Sequence, residues 1–212
     1  MRIYARNNNG ILMEWNKLAD DDTIAKTTDA LRSHGFEVFV VKDSTEAKRK
    51  VEELIPEGSE VMDASSITLH QTGIKDMLME GRYKSLRKEI LSTGSKDVRD
   101  AMRRRASSAD WGVGSVQAVT LDGRMVTASA SGSQVGLYAY GAAHLIIVVG
   151  TNKIVKDLDA AFKRIHEHAI PLEDERAKKA YGMGTSLNKI LIIEKERPGR
   201  ISIVLVKEVL GF

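Results

Sequence analysis

The hydrophobic pattern is densest near the middle of the chain, where residues 144–149 read HLIIVV. A strand with apolar side chains on both faces is typical of a parallel sheet covered by helices. We therefore predict a central strand that ends at Gly150 and continues into the polar turn Thr151-Asn152-Lys153. The small-residue turn Ala130-Ser131-Gly132-Ser133 lies upstream and predicts the start of a compact apolar helix over residues 135–142.

Short apolar runs alternate with helical patterns along the rest of the chain. Further strands are predicted at residues 36–41, 60–62, 189–193 and 201–206. Helices are predicted at residues 23–34, after the capping pair Asp43 and Glu46, from Ser66 through Leu78, and at residues 83–91, 96–108, 158–165 and 173–181. A strand, a helix and a strand at this spacing form a βαβ unit, in which the two strands are parallel.

A change in pattern marks residues 113–121 and 124–129, two β-branched runs joined by Asp122-Gly123. Asp-Gly between such runs is a strong signal for a hairpin with a type I′ turn. The predicted fold class is therefore α/β, a mainly parallel sheet flanked by helices, with a small inserted β-hairpin layer. Residues 1–12 are predicted to be an N-terminal extension and residues 13–212 a single domain, with Met13 as an alternative start.

The amino-acid composition excludes several kinds of functional site and partner. The 212 residues include no cysteine, which excludes disulfides, thiolate metal sites, iron–sulfur clusters and a cysteine nucleophile, and fits a reducing cytoplasm. The 32 Lys and Arg residues against 29 Asp and Glu residues give a net charge of +3, too small to indicate nucleic acid unless it is clustered. No apolar run is long enough to span a membrane, and no secretory signal is recognisable. We expect a cytoplasmic protein without a metal, a cofactor, or a nucleic-acid or membrane partner.

Three polar turns each follow a predicted strand. Because the carboxyl ends of parallel strands meet at one edge of a sheet, we expect these turns to converge on one crevice. Helix N-termini and a lysine at that edge favour binding of an anion. The candidate ligand-binding residues are Ser65, Ser66, Thr68, His70, Gln71, Ser131, Gly132, Ser133, Gln134, Asn152 and Lys153.

Each of these turns also has a purely structural explanation. Ser66 caps a helix, Gly132 allows a tight turn, and Lys153 is a solvated residue before the next helix. A desolvated lysine forms Schiff bases, but without a matched acid the sequence favours binding over catalysis. As an exposed charge, Lys153 is expected to be replaceable by alanine at nearly unchanged stability, whereas Gly132→Val is expected to strain the turn and block close approach of a ligand.

Histidines and arginines elsewhere favour structural explanations. His166 and His168 are two residues apart and do not share a helix face, so we predict surface residues rather than metal ligands. Three consecutive arginines at residues 103–105 are predicted to form a solvated helix face. Nucleic-acid binding by these arginines is the alternative, although no interleaved aromatic residue or binding motif supports it.

Five segments carry a family likeness, and they occur in this order: Ser66-x-Thr68-Leu69-x-x-x-Gly73-Ile74, Asp122-Gly123, Ser131-Gly132, Val148-Val149-Gly150-x-Asn152-Lys153-Ile154-Val155 and Glu196-Arg197-Pro198-Gly199-Arg200. Together they resemble the LUD-domain family, which includes lactate utilisation protein C. The resemblance implies the fold of ribose-5-phosphate isomerase, glucosamine-6-phosphate deaminase and the CoA transferases. It also implies a link with bacterial growth on L-lactate beside iron–sulfur partner proteins, but no settled chemistry for the isolated domain.

The chain departs from the family pattern in three places. Gln71 and Leu121 stand where family members often have a carboxylate, so a general base used elsewhere would be missing here. Many relatives carry a cysteine-rich segment before the last strands. The matching residues 171–187 contain no cysteine, so a metal or redox role of that segment does not transfer.

The function expected from residues and resemblance together is binding of a small anionic metabolite in lactate or other organic-acid metabolism. A hydroxy or keto acid and a phosphorylated or CoA-linked compound all fit this description. One alternative is a stand-alone enzyme, such as a sugar-phosphate isomerase or cycloligase. Another is a non-catalytic subunit or assembly factor of a lactate-oxidising iron–sulfur complex, and a homo-oligomer also stays open.

Overall fold

A computed structural model describes residues 4–6 and 12–212, with side chains from Trp15 onward. Its strands are β1 (Tyr4–Arg6), β2 (Leu12–Glu14), β3 (Glu37–Val41), β4 (Glu60–Asp63), β5 (Lys84–Ser85), β6 (Trp111–Gly114), β7 (Ala118–Thr120), β8 (Met125–Ser129), β9 (His144–Gly150), β10 (Ile154–Val155), β11 (Lys189–Ile193) and β12 (Ile201–Val206). Its α-helices are α1 (Asp21–Ser33), α2 (Ser44–Leu54), α3 (Ile67–Gln71), α4 (Ile74–Met77), α5 (Leu86–Ser92), α6 (Lys96–Arg105), α7 (Ser133–Gly136), α8 (Leu158–Arg164) and α9 (Ile170–Tyr181).

Six parallel strands form the main sheet, in the order β3-β12-β9-β6-β4-β5. The prediction of a central apolar strand is confirmed, because β9 lies between β12 and β6 and is buried at every residue after His144. Leu145, Ile147 and Val149 pack on one face of the sheet with Leu31 of α1. The alternate residues of β9 pack on the other face, against α2 and α3. The fold class is therefore α/β, with helices on both faces of a parallel sheet.

A second, mixed sheet has the order β10-β7-β8-β11. It is the predicted inserted layer, and Ala161 and Ile165 of the following helix pack on it with Trp15. Its predicted boundaries are wrong, because the single strand expected over residues 113–121 is two strands in different sheets. The break falls at Ser115, whose backbone N–H donates to the Tyr138 hydroxyl at 3.0 Å instead of to a neighbouring strand.

The turn between β7 and β8 also differs from the prediction. A type I′ turn needs a positive φ at both central residues, but Gly123 has φ +88° and Asp122 does not share it. The Asp122 side chain instead accepts hydrogen bonds from the Thr120 hydroxyl and the Arg124 guanidinium. These bonds hold the residue at a φ outside the left-handed region. The last two strands of the chain lie in different sheets, because β11 pairs in the small sheet and β12 pairs in the main one.

Acidic and hydroxyl side chains begin most of the helices. The side chain of the capping residue accepts a hydrogen bond from a backbone N–H of the first turn at Asp20, Asp43, Ser66, Ser85, Ser95 and Asp157. Two helix predictions need correction. Gly73, at φ +68°, divides the helix expected from Ser66 into α3 and α4. Residues 84–85, predicted to be helical, form β5.

The helices predicted at residues 158–165 and 173–181 are one continuous element. A π-helical turn, Ile165–Ala169, joins α8 to α9. Pro171 lacks the N–H of an ordinary helical residue and so favours a break in the helix. The π-helical turn before it is wider than an α-helical turn, and the helix continues past the proline. A second π-helical turn, Leu137–Gly141, follows α7.

At the N-terminus β1 and β2 pair antiparallel, with Arg6 opposite Leu12. The asparagine turn predicted at residues 7–10 lies outside the described residues. Among the residues that are described, no helix combines the length and apolar character needed to cross a bilayer.

Candidate functional site

The turns after β4, β6 and β9 lie at the carboxyl edge of the main sheet and border a cavity of about 280 Å³. Seven of the eleven candidate residues line it: Ser65, Ser66, Thr68, Ser131, Ser133, Gln134 and Lys153. Three further walls were not anticipated from the sequence. They are the β6–β7 connection with Ser115, the helix containing Glu173, and the chain end at Gly211 and Phe212.

The other four candidates, Asn152, Gln71, His70 and Gly132, do not line the cavity. Asn152 is buried, and its side-chain oxygen accepts from the Leu210 N–H at 3.1 Å. The Gln71 side chain accepts from the Gly211 N–H at 2.6 Å, and His70 is exposed on the same helix. Gly132 has φ +85°, and a Cβ there would lie 2.5 Å from Lys189 Cδ. Valine at position 132 is therefore still expected to strain the turn, but not to block the cavity.

Lys153 is buried, which contradicts its prediction as a solvated residue. Only 3% of it is exposed, and Nζ donates to the Thr68 hydroxyl at 3.1 Å, the Ser115 hydroxyl at 3.3 Å and the Val116 carbonyl at 3.1 Å. The chain end packs directly on the amine, since a Cβ on Gly211 would lie 2.8 Å from Nζ. Burial, and then the nearby Arg164, hold the pKa of Lys153 well below its ordinary value.

Two more basic side chains, Arg164 and His168, lie buried behind this wall. Arg164 is fully buried and donates from Nη1 to the Gln117 carbonyl at 2.6 Å, while Nε and Nη2 have no partner in the described part of the chain. Burial lowers the pKa of Arg164 to about 10. His168, predicted to lie on the surface, is 1% exposed with neither ring nitrogen hydrogen-bonded. Burial, Arg164 and Lys153 together lower its pKa to about 4.

Both residues continue the apolar stripe of α8, which explains their burial. Arg164 follows Ala161 by three positions, and His168 follows Ile165 by three, so the helix turns both toward the small sheet. Their helical spacing from Ala161 and Ile165 was the sequence signal that could have predicted this burial. Charged side chains at such positions are usually assigned to the surface, however.

The buried cations lack a compensating acid. No carboxylate lies within ion-pair distance of Lys153 or Arg164 among residues 15–212, and neither pKa is raised by an acid. Glu173 borders the cavity, but both of its carboxylate oxygens accept from Arg176 at 2.7 Å. Because an uncompensated buried charge is costly, this region is complementary to an anion. A lysine that has lost its proton is also the form that attacks carbonyl carbon.

Tyr138, on the π-helical turn after α7, fixes the position of Ser115. Its hydroxyl accepts from the Ser115 N–H and donates to the Ser115 carbonyl at 3.1 Å. Burial raises the pKa of this phenol, so it keeps its proton. Gly114 leaves the room for it, since a Cβ there would lie 1.7 Å from the hydroxyl oxygen.

Gly114→Ala is expected to lower the free energy of unfolding by about 1–2 kcal/mol, because the methyl group displaces the Tyr138 ring from a packed site. Denaturant unfolding measures the change. Gly136→Ala is the matched control, since a Cβ there meets only ordinary contacts with Ser107 at 3.6 Å. Equal stability of Gly114→Ala and the wild type would contradict this account of how Ser115 is held.

Among the described residues, no group of three or more His, Asp or Glu side chains is placed to hold a metal ion. The expectation of no metal and no cofactor stays a prediction.

A family model described as the LUD domain matches residues 24–206. A solved structure, a DUF162 family protein from Deinococcus radiodurans, matches with a TM-score of 0.55 and 12% sequence identity, covering 90% of this chain and 99% of its own. At that identity the similarity concerns the fold alone. None of the curated proteins compared with the chain matches it.

Proposed function

The chain belongs to the LUD-domain family, and on this basis we propose that it binds a small organic acid, a hydroxy or keto acid, in the cavity beside Lys153. The matched residues 24–206 include every candidate residue of the cavity wall, from Ser65 to Lys153. The resemblance to the LUD-domain family supports a ligand from lactate or related organic-acid metabolism.

The observation that carries this proposal is the pair of buried basic side chains, Lys153 and Arg164, with no acidic partner among residues 15–212. Lys153 and Arg164 lie at or behind the cavity wall, where low polarity strengthens their attraction for an anion. A carboxylate entering the cavity supplies the missing negative charge. It therefore stabilises the protonated form of Lys153, whose pKa burial has lowered.

The hydrogen bonds of Lys153 indicate how a ligand interacts with it. The ammonium form has three N–H donors, and Thr68, Ser115 and the Val116 carbonyl accept all of them. Thr68 and Ser115 border the cavity. The Ser115 hydroxyl donates to Thr68 Oγ1 at 3.3 Å, so the Thr68 O–H is the donor of this cluster that remains for a ligand. The ligand carboxylate thus accepts from the Thr68 hydroxyl, which the hydrogen bonds from Lys153 and Ser115 polarise.

Size and polarity favour a small, oxygen-rich ligand. A volume of about 280 Å³ lies just below the roughly 300–1,000 Å³ typical of ligand pockets. Hydroxyl groups dominate the wall, which suits the hydroxyl or carbonyl oxygen beside the carboxylate of such an acid. The nine residues that supply them are Ser65, Ser66, Thr68, Ser115, Ser129, Ser131, Ser133, Thr185 and Ser186.

Thermal unfolding with a panel of acids tests the proposal. L-lactate and pyruvate are expected to raise the Tm, because a ligand that binds only the folded state at about 100 times its Kd adds about 2.7 kcal/mol of stability. Lactamide, which replaces the carboxylate of lactate by a neutral amide, is the control and is expected to leave the Tm unchanged. Equal shifts with lactamide, or no shift with any acid, would refute the assignment.

A further inference from the structure

A second cavity of about 480 Å³ adjoins the first. Ser65, Ser131, Ser133 and Gln134 line both of them, so the two cavities are neighbours that meet at these four residues. The second cavity differs in its far wall, which carries Arg87, Arg103 and Arg104 together with Asp100. Two of the three arginines predicted to form only a solvated helix face therefore border a cavity.

The acidic residues at this wall do not pair with all of its arginines, so the wall keeps an excess of positive charge. Arg87 donates to the Asp63 carbonyl at 2.5 Å and lies 3.4 Å from the Asp63 carboxylate, which burial keeps at a raised pKa. Arg103 lies 3.3 Å from Asp100 in a solvent-exposed pair. Arg104 has no acidic partner within the part of the chain that the structure describes, so its guanidinium is available to a ligand.

We propose that the arginine wall binds a phosphate group, so that the ligand spanning both cavities is a phosphorylated small carboxylic acid. This inference rests on the proposed acid site for the other end of the ligand. Guanidinium groups match phosphate oxygens with paired, charge-assisted hydrogen bonds. Three guanidinium groups line the cavity, and Asp63 and Asp100 pair with two of them, which leaves Arg104 unpaired among the described residues. A phosphate offers this wall three strong acceptor oxygens, more than a second carboxylate does.

Calorimetric titration of the full chain with matched ligands tests the inference. Glycerate, 3-phosphoglycerate and malate share a carboxylate and differ at the other end, which is a hydroxyl, a phosphate or a second carboxylate. We expect 3-phosphoglycerate to bind about tenfold or more tightly than glycerate, in line with charge-assisted hydrogen bonds to a phosphate. The gain is expected to shrink as salt rises, since the arginines are partly exposed.

Arg104→Gln and Arg105→Gln are the matched pair of variants. Arg105 is the next residue of the same helix and is exposed, but it does not border the cavity. Arg104→Gln is expected to remove most of the gain from phosphate, while Arg105→Gln retains it. Both substitutions lie on the surface, so the Tm of each variant is expected to stay close to the Tm of the wild type.

The outcomes separate this inference from the proposed function. Equal affinity for glycerate and 3-phosphoglycerate, or equal affinity for malate and 3-phosphoglycerate, overturns the phosphate subsite and leaves the acid site standing. Equal loss in both arginine variants also overturns it. Binding of inorganic phosphate that depends on Arg104, with no binding of glycerate, L-lactate or pyruvate, supports the subsite and overturns the proposed function instead.

Discussion

Lys153→Ala is expected to lower the free energy of unfolding by about 2–3 kcal/mol, because it truncates a buried side chain and leaves a cavity. The Thr68 and Ser115 hydroxyls and the Val116 carbonyl also lose a shared partner. The variant no longer has to bury a basic group, which offsets part of the lost stability. We therefore expect a change in the free energy of unfolding in the lower half of the range for large-to-small substitutions. The expectation from the sequence alone, nearly unchanged stability, rested on an exposed side chain and is withdrawn with it.

Lys156→Ala supplies the control, since Lys156 is exposed three residues later. Its effect is expected to stay within about 0.5 kcal/mol. Urea unfolding of both variants at neutral pH measures the difference. Two equally stable variants would show that Lys153 is not packed beneath the chain end.

The second large effect is a loss of stability in acid caused by His168. Its pKa is lowered from 6.5 to about 4 in the folded protein, so below pH 6.5 the unfolded chain takes up a proton that the folded chain does not. Stability from this group is complete above the unfolded value and is lost as the pH falls toward 4. At about 1.4 kcal/mol for each pKa unit, the loss reaches about 3 kcal/mol.

His168→Gln is expected to remove that part of the pH dependence, whatever its effect on stability at neutral pH. His166→Gln is the matched control, because His166 is exposed on the same π-helical turn. Denaturant unfolding between neutral pH and pH 4 gives the slope for each protein. A slope for His168→Gln that equals the wild-type slope would contradict the burial of a neutral histidine beside Arg164 and Lys153.

Local sequence patterns predicted the parts of the fold that depend on local chemistry. The apolar run of β9 needs burial on both faces, and an interior strand of a parallel sheet supplies it. The helix starts at Asp43 and Ser66 follow from side chains that cap their own first turn. The split between β6 and β7 depends instead on Tyr138, which is 23 residues from Ser115.

The candidate site divides in the same way. Parallel topology was enough to place Ser66 and Lys153, which follow β4 and β9, at one edge of the main sheet. It does not explain Ser133, which follows β8 of the small mixed sheet and lines the cavity from there. It could not place Arg164 and His168 in the interior, since their burial arises from packing of the helix on the small sheet. Nor could it bury Lys153, because the covering residue is Gly211, 58 positions later in the chain.

Calorimetric titration of L-lactate at several pH values, each in two buffers of different ionisation enthalpy, tests the acid site beside Lys153 most directly. Because the bound carboxylate restores the proton of Lys153, we expect one binding site, net proton uptake, and an affinity that falls by up to about tenfold per pH unit above the lowered pKa of the free protein. Lys153→Met is expected to abolish the proton uptake. Absence of binding, or binding with no proton uptake and the same affinity in Lys153→Met, would contradict the account.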